Sequence, residues 1–143
     1  MSIPLQFIFA FSATAGFTLI FNIPHRHIFF SALSGAIGWV AFQYIQYAGQ
    51  PAVIACFIAS CLVAAFGETF ARIFKEASLI FIIPGILPLV PGAGMYRTML
   101  SLLQEDLSQT AEVGTETLML TGAIAVGILM VSSFVRALTK IMS

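Results

Sequence analysis

Five stretches of the chain are almost free of polar positions, and polar turns separate them. They run from Ile3 to Phe21, Ile28 to Tyr47, Pro51 to about Phe74, Ala77 to Met95 and Leu118 to Val135. Each is near the roughly 20 residues a helix needs to cross a hydrocarbon layer ~30 Å thick. In lipid a chain must satisfy its backbone hydrogen bonds internally, and a helix does so within one segment. The pattern predicts an all-α polytopic membrane protein with about five hydrophobic segments. The one long polar connection, Gln104 to Glu116, leaves no room for a soluble domain, so residues 1–143 are expected to form a single transmembrane domain. No Lys or Arg precedes the first run. A cleaved leader opens with a basic region, so a retained helix is expected there.

The fourth run differs from the others. Its core, "IIPGILPLVPGAGMYRTML" from Ile82 to Leu100, holds Pro84, Gly85, Pro88, Pro91, Gly92 and Gly94 within eleven residues. Each proline lacks the N–H that would bond the carbonyl four residues earlier. A continued helix would therefore free the carbonyls of Ile80, Pro84 and Leu87 along one side. Such groups are tolerated at membrane depth only against protein or a watery cavity. "PGAG" permits a turn, and "MYRTMLSLLQ" can start a second helix with Arg97 in its first turns. A helix start leaves N–H groups unpaired and is electropositive. Bare carbonyls on one side and Arg97 with a helix N-terminus on the other suit a zwitterion or a carboxylate. A discontinuous or re-entrant segment is expected; a single kinked helix, needing no ligand, is the plainer alternative.

Composition narrows the picture further. Apolar residues make up 59% and charged residues 8%, against roughly a quarter charged in soluble domains. Six basic and six acidic residues cancel, so no nucleic acid partner is indicated; the lipid bilayer is the surrounding. Arg26, Arg72, Lys75, Arg136 and Lys140 fall on alternate turns, while the other turns are "AGQP" and the acidic connection. Basic residues mark the cytoplasmic side. The expected topology in a bacterial plasma membrane has the N-terminus outside and the C-terminus in the cytoplasm, with Arg97 alone on the other side.

Small residues recur at helical spacing: Ser31, Gly35 and Gly38; Cys56, Ser60 and Ala64; Ala123 and Gly127. Packing inside the chain accounts for them, and a homo-oligomer is left open. Five short helices enclose a path poorly, whereas transporters commonly pair two halves, so a second chain is expected. Glu68 and Arg72 are four apart on one helix face, in the favourable acid-before-base order. They read as an interfacial ion pair or as a gating or proton-coupling pair. His25 and His27 flank Arg26 and read as solvated turn residues, being too few for a metal site. No protease constellation and no Gly-rich loop followed by Lys is present, so neither an enzyme, nor ATP coupling, nor a cofactor is expected.

"FNIPHR", "GAIGW", "IIPGILPLVPGAGMYRTM" and "TGAIAVGILMVSS" together resemble the threonine/serine exporter family, in particular the small subunit of its split, two-component form. The resemblance covers about Gly16 to Ser133. It implies a second membrane subunit of the same family as partner. It also implies export of small amino acids, or of dicarboxylates such as succinate in some split members. The family motif maps onto Pro84, Gly85, Pro88, Pro91, Gly92 and Tyr96; Arg97 rests on physical argument alone. A membrane scaffold or assembly factor is the competing class.

Overall fold

The computed structural model describes residues 2–142, and all the regular elements among them are helices. Four are long and apolar enough to cross a membrane: α1 (Ile3–Ile20), α2 (His25–Tyr47), α3 (Ala52–Phe74) and the last, α6 (Leu107–Met142). Between α3 and α6 lie α4 (Leu79–Ile86), a single 3-10 turn (Leu87–Leu89) and α5 (Gly92–Leu103). The two halves of this pair meet at 54°. The pair is discontinuous, as a broken span or a re-entrant element is, and counted as one span it brings the total to five.

Local chemistry sets the boundaries. Proline precedes the first helical residue of α2, α3 and α5, where its fixed φ suits helix entry and its missing N–H is no loss. The four tight turns share one exit. Asn22, Gly49, Lys75 and Glu105 adopt left-handed φ of 56° to 89°. Beside them Ile23, Gln50, Glu76 and Asp106 donate their N–H groups five residues back, to Thr18, Ile45, Ala71 and Ser101. That is the Schellman arrangement, which satisfies the last carbonyls of a helix before the chain turns.

The connection expected over Gln104–Glu116 is far shorter. Asp106 caps α6, its Oδ1 accepting the Gln109 N–H at 3.0 Å, so the helix begins at Leu107 and carries Glu112 and Glu116 on its first turns. Its 36 residues span roughly 54 Å at 1.5 Å per residue, well beyond a hydrocarbon layer.

The interior is made of small side chains. Ala32, Ala36, Ala55, Ala59 and Ala64 are buried completely, and Cys56, Ala59, Val63, Leu89 and Ile124 join α3, the 3-10 turn and α6. The small-residue stripes are consumed within the chain: a Cβ at Gly127 would meet Ser60 Oγ and stand 3.0 Å from the Phe57 carbonyl. Without a hydrophobic drive between helices in lipid, such close approach provides the attraction. Large apolar residues such as Ile20, Leu118 and Ile141 are exposed instead, as a lipid-facing surface requires.

α4 is wedged among α1, α2 and α3, whereas α5 leaves them and, among the described residues, packs on α6 alone.

Candidate functional site

The prolines break the fourth element where the sequence places them, but the carbonyls they release are not bare. Ile80 O accepts the Ser31 hydroxyl at 3.3 Å. Pro84 O accepts the Leu87 N–H, and Leu87 O accepts the Val90 N–H at 3.2 Å. Tightening into a 3-10 turn closes i→i+3 bonds where i→i+4 bonds are impossible. The expected row of free acceptors is thereby removed.

What the break does create is a cleft of about 410 Å³. Pro88, Pro91, Gly92, Gly94 and Arg97 line one side of it; Trp39 and Phe42 of α2 and Cys56 of α3 form the apolar wall. The remaining side is α6, with Glu116 and Thr117. Of the sequence-derived residues, Pro84 and Gly85 lie elsewhere, buried on α4, with Gly85 fitted against Val63 of α3 and Ser34 of α2. Tyr96 is 67% exposed and is not part of the lining.

Arg97 stands one turn past Gly94, exposed on α5, with Glu116 in the same cleft on α6. No ion pair joins them among the described residues. The N–H groups at the start of α5 add partial positive charge beside Arg97. Cation and anion thus border one recess with an aromatic wall. Run length alone does not point to Glu116, because the polar stretch 104–116 reads as a loop. The signal was present, however: Asp106 followed by residues that tolerate a helix, without Pro, is a start sequence.

The Glu68–Arg72 ion pair does not form. Arg72 Nη2 donates instead to the Val135 carbonyl of α6 at 3.0 Å. Glu68 is 8% exposed and its Oε1 is buried without a hydrogen-bond partner. Both border a recess of about 330 Å³ closed by Val135 and Leu138. The spacing that places two side chains on one face cannot tell whether a third helix offers Arg72 a better acceptor.

His27 corrects another expectation. α2 starts at His25, so His27 falls on the inner stripe shared with Ser31 and Ser34 and is fully buried, whereas His25 is exposed. Among the described residues no three His, Cys, Asp or Glu side chains converge as a metal site would need.

Residues 6–134 match the family model described as "Threonine/Serine exporter, ThrE". An uncharacterized protein of Haemophilus influenzae is 29% identical over 97 residues, which cover 68% of this chain and 33% of that protein. The match thus spans about a third of the relative's length. No solved structure matches. With its broken fourth element and a family match running nearly end to end, this multi-pass membrane protein belongs to the threonine/serine exporter family.

Proposed function

We propose that this chain is one membrane subunit of a secondary exporter of small amino acids such as threonine and serine, working with a second membrane subunit of the same family. The observation that carries the substrate assignment is the cleft at the break, where Arg97 and Glu116 border one recess without pairing. A guanidinium takes a carboxylate through two parallel bonds, and Glu116 suits the ammonium of the same small molecule. A dicarboxylate such as succinate would set its second carboxylate against Glu116, so the amino acid is the better fit. A scaffold protein has no need of an unpaired cation and anion around a common recess.

The partner subunit is supported by the third of the relative's length that the match covers, and by α5, which among the described residues only α6 covers. The cytoplasmic placement of the basic end is supported by two contacts that gather it. Arg26 binds Glu76 at 2.8 Å, uniting the α1–α2 and α3–α4 turns, and Arg72 reaches Val135 near the C-terminal end of α6. In a bacterial plasma membrane the N-terminus would then lie outside and the C-terminus inside. Glu68, a buried carboxyl with a bare oxygen, is assigned the coupling role, with Arg72 at the mouth of its recess.

The test is export of labelled threonine, serine and succinate from cells with and without the two subunits. Losing a charge-assisted bond worth about 1.5–3 kcal/mol lowers apparent affinity roughly 10- to 100-fold. Arg97→Ala should show that loss for the amino acids, and Arg97→Lys a smaller one, because Lys cannot make the paired contact. If Arg97→Ala inserts normally and exports with unchanged rate and affinity, Arg97 is an interfacial anchor and the site lies elsewhere.

A further inference from the structure

At the opposite end of α2 from the cleft, a histidine is buried where nothing in the substrate path calls for one. His27 is 0% exposed, and its ring is held edge-on between Phe74 of α3 and Phe81 of α4, with centroids 5.2 and 5.4 Å away. Its Nε2 lies 3.1 Å from Arg26 Nε and 3.3 Å from Glu76 Oε1. Its Nδ1 is buried with no hydrogen-bond partner. Arg26 Nη2 also binds Glu76 Oε1, at 2.8 Å.

These contacts cannot all be made at once. Arg26 Nε is a permanent donor, so its bond needs a lone pair on Nε2, which puts the ring's only proton on the orphaned Nδ1. A bond to Glu76 needs a proton on Nε2 and turns Arg26 Nε away. A doubly protonated ring keeps the Glu76 bond and leaves Nδ1–H buried without an acceptor. Every state leaves one group short, so no protonation state is locked in. Imidazole is also the side chain whose charge ordinarily changes between about pH 5 and 8.

α1 and α4 contain no ionisable group. On α3, Glu68 and Arg72 border the recess against α6, and the thiols Cys56 and Cys61 lie in its first half. Lys75, which caps α3 directly before Glu76, and His25 on α2 are both exposed. The Glu76 carboxyl is held below its ordinary value by its hydrogen bonds to Arg26 and then His27, so it is the anion beside the ring.

The contacts also have mechanical reach. Glu76 belongs to the turn that launches α4, directly after the left-handed Lys75. One turn along α2 from His27, Ser31 holds Ile80 O, the carbonyl that Pro84 releases. α4 then leads through the 3-10 turn to the cleft, where Trp39 of the same α2 stands.

We propose that His27 is a proton-binding site and that its proton, exchanged through Glu76, sets how α2 grips the start of the broken span and hence the shape of the cleft. Without the proton the ring accepts from Arg26; with it the ring donates to Glu76 and Arg26 swings outward. Arg26, with its side chain 71% exposed, and Glu76 at 28% are the ring's route to water. The inference is independent of which substrate is carried, because it is read from the chain itself.

The protein has two histidines and one tryptophan, which makes the test direct. With His25→Asn in place, the labelled imidazole of His27 is followed by NMR in bilayer nanodiscs from about pH 5 to 8, alongside Trp39 emission. The expected result is a reversible change in both signals at a common midpoint. His27→Gln should abolish the emission change. Glu76→Gln, which leaves the buried ring in place, should move both transitions to lower pH, since the carboxylate no longer favours the imidazolium. A His27 signal that does not respond to pH in the folded chain overturns the proposal. So does an emission change that persists in His27→Gln, or a transition that Glu76→Gln leaves where it was. If His27→Gln does not fold, judged by loss of helical circular dichroism, the Glu76→Gln titration decides alone.

Discussion

Gly94 tests how the cleft is held open. Among the described residues α5 packs on α6 alone, and at Gly94 it lies directly against Thr117 beside the cleft. A Cβ there would collide with Thr117 Oγ1 and stand 3.4 and 3.5 Å from Thr117 Cβ and Cγ2. Thr117 cannot simply rotate away. Its hydroxyl donates to Val113 O at 2.8 Å, and a helical threonine has few χ1 wells. Gly94→Ala must therefore displace α5 or break that bond, an overpacking cost of about 1–3 kcal/mol. Thr117→Ala removes Oγ1 and Cγ2, leaving the 3.4 Å Cβ contact, which is ordinary van der Waals distance. The double variant should consequently lie within about 1 kcal/mol of Thr117→Ala, giving a coupling energy of about 1–3 kcal/mol. The assay is reversible unfolding by denaturing detergent in mixed micelles, followed by helical circular dichroism for all four proteins. Export should follow the same order, because Arg97 rides one turn beyond Gly94. A Gly94→Ala protein as stable as the parent would refute the reasoning, as would one that Thr117→Ala fails to restore.

Three further outcomes are expected. Asp106→Ala should destabilise the start of α6 by about 1 kcal/mol in the same unfolding assay, whereas Asp106→Asn keeps the cap. Because Glu76 is held below its ordinary value by Arg26 and His27, its pairing stabilises the fold above the usual carboxylate range and is lost as pH falls through the lowered value. Acid unfolding of Glu76→Gln, compared with the parent, should show that contribution missing at neutral pH and the difference vanishing in strong acid. A reporter active only in the cytoplasm should work when fused after Ser143, and a periplasmic one when inserted at Asp106. The opposite pattern at both sites would reverse the orientation.

The sequence by itself determined that the chain lives in a membrane, where its spans lie and where one of them breaks. Those properties are local: run length against bilayer thickness, and prolines that cannot donate. Its family was legible for the same reason, since the proline–glycine motif is contiguous. The start of α6 was legible too, in Asp106, but the length of the apolar run concealed it. Tertiary structure alone decided the rest. Arg72 turned from Glu68 to Val135 because α6 brought a carbonyl within 3.0 Å. The freed carbonyl of Ile80 found a hydroxyl on α2, and His27 was buried because α3 and α4 closed over the inner face of α2. Glu116 came to share a cleft with Arg97 only because Gly94 lets α5 lie against Thr117. Helical periodicity states which residues share a face of one helix. Which helix that face meets, and which polar group it offers, depends on contacts between residues far apart in the chain, and in lipid these are set by close packing of small residues rather than by any pattern along the sequence.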